Sequence, residues 1–138
     1  MHTAISEYRK LDISSRVDAA SPTELIQMLF DGAMSKLQTA RGCMTREDLA
    51  GRSEALSSAV SIIEGLQSSL DLDEGGSLAG NLDALYSYMM RKLWEANRHN
   101  DIDAVVEVSK LLGTVSEAWR TLEDEVIPAP VEEAQPVV

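Results

Sequence analysis

Apolar side chains recur at intervals of three and four residues along four stretches of this chain, and residues that stop helices separate the stretches. The firmest start is SPTELIQMLFDGA, Ser21 to Ala33. Ser21 is a good N-cap, Pro22 suits the first helical position, and Glu24 stands where a capping box places its acid. Leu25, Met28, Leu29 and Gly32 then follow one helical face, which Ala33, Leu37 and Ala40 continue to Gly42.

GCMTRED breaks the first stretch. Thr45 and Asp48 stand at capping-box spacing and open a second, carried by Leu56, Ala59, Val60, Ile63, Leu66 and Leu70. DLDEGGS closes it, because Gly75 and Gly76 tolerate positive φ and the surrounding acids favour turns and caps. Leu78, Leu82, Leu85, Met89, Leu93 and Ala96 mark a third. NRHND turns the chain, and Asn100 or Asp101 caps a fourth with Val105, Val108, Leu112, Val115, Trp119 and Leu122, fading near Glu125. Each predicted helix holds roughly 20 to 25 residues and is about 30 Å long. Matched lengths and short loops favour antiparallel neighbours, so the expected fold is all-α, an up-down four-helix bundle with Leu29, Ile63, Leu85 and Leu112 buried.

The ends read differently. Ala4, Ile5, Tyr8 and Leu11 share a helical face in a segment too short to be a stable helix alone, so it either docks or frays. VIPAPVEEAQPVV holds three of the four prolines and no helical stripe, as expected of an unstructured tail. The domain organisation is thus one bundle over 1–125, with 1–16 as an N-terminal lid segment and 126–138 as a flexible tail.

Composition excludes several classes of function. A formal charge of −11, from 12 Lys and Arg against 23 Asp and Glu, argues against binding a phosphate backbone or an anionic membrane surface. No apolar run approaches the roughly 18 residues that a membrane span needs. The first residues, MHTAISEYRK, lack the apolar core of a secretory signal, and a single cysteine, Cys43, forms no internal disulfide; both suit a reducing cytoplasm. Cys43 reads as small filler near a helix end.

Catalytic and metal readings fail on spacing. Di-iron bundles use Glu-x-x-His pairs on two helices, and none occurs here. His2 stands at the chain start and His99 in a turn. Counted as a calcium loop from Asp71, DLDEGGS puts Leu82 where the bidentate glutamate belongs. No histidine is placed to activate a serine, and no Gly-rich phosphate loop follows a strand. The expectation is no enzyme, no metal and no cofactor.

What remains is apolar surface to the side of the four stripes. Ile26 and Phe30 on the first helix, Ile62 on the second, Tyr86 and Met90 on the third, and Leu111 and Ala118 on the fourth exceed the three positions or so per heptad that a bundle core uses. Singly, such residues widen a core; as a set they predict a groove for an amphipathic partner helix.

SPTELIQMLFDGA, SLDLDEGGSLAGNLDALYSYMMRKLWEAN and EAWRTL, in that order and at these separations, resemble the flagellin-specific export chaperone family, FliS, from about Ile5 to Leu122. His2 stands where the family often has a tyrosine, and the Pro-rich acidic tail departs from its pattern. The resemblance implies a cytoplasmic chaperone that binds the disordered C-terminal segment of flagellin, prevents premature polymerisation and delivers it to the flagellar type III export apparatus, with an export-gate component as a second partner and no ATP. It makes the N-terminal segment a lid over part of the flagellin groove. The expected contacts are Ile5 and Tyr8 on the lid and Ile26, Phe30, Ile62, Tyr86, Met90 and Leu111 on the bundle, in a monomer or weak homodimer. A helical-bundle adaptor or regulatory protein that binds a folded partner, or itself, uses the same surface and stays open as the second reading.

Overall fold

The computed structural model describes residues 21–126, with side chains to Leu122. The predicted lid and the tail beyond Val126 lie outside the described residues. Four helices follow one another: α1 Pro22–Thr45, α2 Leu49–Ser68, α3 Gly76–His99 and α4 Ile102–Val126. Among the described residues there is no strand.

The helices form a closed square in which α1 packs on α2 and α4, and α3 on α2 and α4; α1 and α2 make the most extensive contact. The all-α antiparallel four-helix bundle is therefore as predicted. Leu29, Leu37, Leu56, Ile63, Met89, Leu93, Val105, Val108 and Leu112 are fully buried. Leu85, expected among them, is only partly buried and packs against the core from the side.

The starts and stops show where spacing misled. Ser21 accepts from Glu24 N at 3.2 Å and Glu24 Oε1 accepts from Ser21 N at 2.9 Å, closing the predicted capping box. Thr45, however, does not open α2. It ends α1, its hydroxyl donating to Arg41 O at 3.0 Å, and Asp48 alone caps α2 by accepting from Gly51 N at 3.0 Å. Between them Glu47 turns the chain at φ 60, and Asp48 N donates back to Cys43 O at 2.8 Å. Of the two candidate caps at the last turn, Asn100 ends α3 in the left-handed region at φ 53, while Asp101 accepts from Ala104 N at 3.2 Å and starts α4. In the remaining loop Gly76, not Gly75, takes the positive φ, at 61.

Two stripe residues overrun the core. Leu78 and Leu122 sit on the predicted faces yet are 54% and 39% exposed, since they lie in the outermost turns, at the end of the bundle that holds the α2–α3 loop. Cys43 is buried beside the α1–α2 turn, as expected of filler. Its sulfur helps explain Gly51: a Cβ there would fall 2.7 Å from Cys43 Sγ and 2.5 Å from Asp48 Oδ2.

Ile63→Ala, which empties a fully enclosed site, should cost about 2 to 5 kcal/mol in urea unfolding, and the half-covered Leu85→Ala less than that range. Gly51→Ala should displace the Asp48 cap and destabilise by roughly 1 to 2 kcal/mol. Gly80→Ala, where a Cβ meets nothing within 4 Å, should stabilise by about 0.5 to 1 kcal/mol. Thermal unfolding of the pair distinguishes steric contact from backbone entropy.

Candidate partner-binding surface

The residues predicted to line a groove do not share one surface. Phe30, Ile62 and Tyr86 are only 2%, 3% and 3% exposed and belong to the core. Each helix of a square bundle faces two neighbours, so its buried arc is wider than one stripe and absorbs part of the second row. Ile26, Met90 and Leu111 are partly buried and pack against the core from its edge. Ala118 is exposed. Ile5 and Tyr8 lie outside the described residues.

Polar contacts fix which seam each edge residue occupies. Gln67 Nε2 on α2 donates to Asp83 O at 3.1 Å and to Ser87 Oγ at 2.9 Å on α3. Farther along, Arg52 Nε donates to Asn97 Oδ1 at 3.0 Å and its Nη1 to Asn100 Oδ1 at 3.1 Å. Met90 lies one turn from Ser87 and on the face of Asn97, so it sits on the α2–α3 seam. On α4, Glu107 Oε2 accepts from the Tyr88 hydroxyl at 2.5 Å, and Glu107 Oε1 lies 3.7 Å from Lys92 Nζ. The Arg91 guanidinium covers the Tyr88 ring at 5.9 Å. Leu111, one turn past Glu107, therefore edges the α3–α4 seam.

The α1–α4 seam is more polar. Asp31 accepts from Gln27 Nε2 at 3.0 Å and pairs with Arg120 at 3.3 Å, beside an open groove of about 380 Å³ lined by Asp31, Met34, Ser35, Gln38, Arg41 and Ser109. Among the described residues two side-chain polar atoms lie buried and without a partner: Gln27 Oε1 and the indole N–H of Trp119.

Spacing missed the large apolar side chains left in the open. Besides Leu78 and Leu122 these are Leu49, Leu72 and Trp94. Leu72 sits in the α2–α3 loop, and Trp94 follows Leu93 immediately, which turns it off the core stripe. An apolar residue adjacent to a stripe residue was the readable signal for Trp94; nothing marked Leu72.

The surface is suited to apolar association. Among the described residues no group of three or more His, Cys, Asp or Glu could hold a metal ion, and no helix is long and apolar enough to cross a membrane. Two phenols of the described residues are moved off their ordinary proton affinity. Burial pushes Tyr86 well above 10.0, and the hydrogen bond to Glu107 raises Tyr88.

Residues 4–126 match the family model of flagellar protein FliS. The chain belongs to the FliS family. It is 46% identical over 125 residues to the flagellar secretion chaperone FliS of Salmonella typhimurium, covering 88% of this chain and 93% of that protein. It is 43% identical over 116 residues to FliSB of Pseudomonas aeruginosa, covering 84% and 92%. The Bacillus subtilis FliS is 31% identical over 104 residues, covering 75% and 77%. FliS relatives thus match the bundle almost end to end, so the seams described here belong to the matched portion.

Because Tyr86 holds its proton to higher pH folded than unfolded, its stabilisation is complete below about pH 10 and is lost as pH rises through the folded value. Urea midpoints of the wild type should fall above pH 10, and Tyr86→Phe should flatten that fall.

Proposed function

We propose that this chain is a cytoplasmic export chaperone that binds the disordered C-terminal segment of flagellin, prevents its premature polymerisation and delivers it to the flagellar type III export apparatus. The observation that carries the reading is the set of apolar side chains that a FliS-family bundle leaves half-covered along its seams: Ile26, Met90 and Leu111 at the core edge, with Leu78 and Leu122 farther out. Phe30, Ile62 and Tyr86 support those edges from beneath, and Ile5 and Tyr8 contribute from the lid. An export-gate component is the second partner.

A flagellin end that packs helix against helix in a filament exposes an apolar face before assembly, and a bundle with open seams offers that face a temporary partner. Ordering the segment costs several kcal/mol, so affinity rests on several apolar anchors acting together. Anchors of this kind each cost about 1 to 4 kcal/mol when truncated.

Calorimetric titration of a flagellin C-terminal peptide into the folded protein should give one-to-one binding in the micromolar range or tighter. Flagellin lacking that segment should be lost from a pull-down. A helical, folded protein that binds no such peptide but forms a symmetric oligomer, or captures only a folded partner, replaces this reading with the adaptor.

A further inference from the structure

The walls of the α1–α4 groove carry no acid along most of their length. Asp31 pairs with Arg120 at one end, Ser109 lines the groove with Arg41 at the other, and a Cβ at Gly113 would lie 3.9 Å from Met34 Cε between them. That register sets MSKLQTAR, residues 34–41, beside VSKLLGTVS, residues 108–116. Neither stretch holds an Asp or Glu, although the whole chain has 23 of them against 12 Lys and Arg. Arg41 and Lys110 are exposed, stand level with each other in this register, and make no ion pair among the described residues. The carboxylate of Asp31, by contrast, already has Gln27 and Arg120. The groove therefore runs from a neutralised end to a positive end, with half-buried Met34 between.

α4 ends at Val126, at the end of the bundle where α1 begins, and IPAPVEEAQPVV follows, outside the residues that the family model matches. Pro128 and Pro130 hold φ near about −65° and lack N–H donors, which disfavours helix and sheet and favours an extended polyproline strip suited to shallow grooves. The order of residues in this strip follows the groove. Apolar Ile127, Pro128 and Val131 come first, then Glu132 and Glu133. Lys110 stands about 24 Å back along α4 from Val126, at about 1.5 Å per residue. An extended chain carries Glu132 and Glu133 about 20 to 23 Å from Val126, and the long side chains of Glu, Arg and Lys span the remainder. Leu72 and Leu78, the open apolar pair at the bundle end, lie beside exposed Asp73 and Glu74, which repel the same two acids. Charge and reach thus select the groove.

We propose that the chain's own C-terminal tail folds back along α4 into the α1–α4 groove, with residues 127–131 over Met34 and with Glu132 and Glu133 against Arg41 and Lys110. This closure is independent of the flagellin reading: it covers the polar seam and leaves the half-covered edges at Met90 and Leu111 as they are. A partner that uses the same groove must displace the tail, and binds more weakly by the fraction of time that the tail is in place.

The test is paramagnetic relaxation in the full-length protein, with a nitroxide on Ala134→Cys in a Cys43→Ala background and the reduced label as reference. The amides of Gln38, Arg41, Ser109 and Lys110 should lose most of their intensity, and those of the α2–α3 loop should keep theirs. Glu132→Lys with Glu133→Lys should restore the lost signals, as should Arg41→Glu with Lys110→Glu. All four changes together should bring the loss back. The tail pair alters no residue of the bundle, so it is also measured in the otherwise wild-type, unlabelled chain, where the amides of Gln38 and Ser109 should shift; this reading does not depend on how Cys43→Ala folds. Unmoved amides there overturn the proposal. So does intensity loss that stops at the last turn of α4, falls on Leu72 and Leu78 instead, or survives both charge reversals. Loss that appears in isotope-enriched, unlabelled protein mixed with labelled protein assigns the groove to the tail of a second copy and overturns it too.

Discussion

The close approach of α1 and α2 at Gly51 is the constraint on which the rest of the bundle depends. With no side chain there, the first turn of α2 settles against Cys43 and the Asp48 cap, and the two helices pack more extensively than any other pair. That tight hairpin supplies the floor of the core through Leu29, Leu37, Leu56 and Ile63. The second hairpin, α3 and α4, then closes the square against it and does not have to pack as closely along its own length. Half-covered leucines along the α3–α4 seam follow from that division of labour.

The two ends of the bundle are secured differently. At the end holding the α1–α2 and α3–α4 turns, Arg52 joins α2 to Asn97 and to the left-handed cap Asn100, while Tyr88, Lys92 and Glu107 hold α3 to α4. The opposite end, around the α2–α3 loop, carries Leu72, Leu78 and Leu122 in the open. Gln67 and the Arg120–Asp31 pair cross other seams at that end, but among the described residues no side-chain hydrogen bond or ion pair crosses the α3–α4 seam there.

Much of this was legible in the sequence, for identifiable reasons. Caps and glycines mark helix ends through local chemistry, so Ser21, Pro22 and Glu24 placed the start of α1 correctly, and Gly75–Gly76 located the α2–α3 turn. Local rules failed where two residues competed for one role. Thr45 and Asp48 have the same spacing as a capping box, and only the tertiary fold shows Thr45 bonding back into α1 while Asp48 caps α2. The candidate surface was harder to read. Periodicity gives the direction in which a side chain points but not how far the neighbouring helix extends, so it could not separate Tyr86, which a neighbour covers, from Met90, which one covers in part, or foresee that Leu78 lies beyond the reach of the core. The family, in contrast, was carried by long ordered motifs and needed no geometry.

The distribution of charge over this bundle has a colloidal consequence. Two copies approaching one another must bring together two bodies of net charge −11, and that repulsion grows as salt is withdrawn. An uncharged or basic-ended helix meets no such barrier. The acidic coat therefore raises an electrostatic barrier to the approach of like molecules, one that a chain of different charge does not meet.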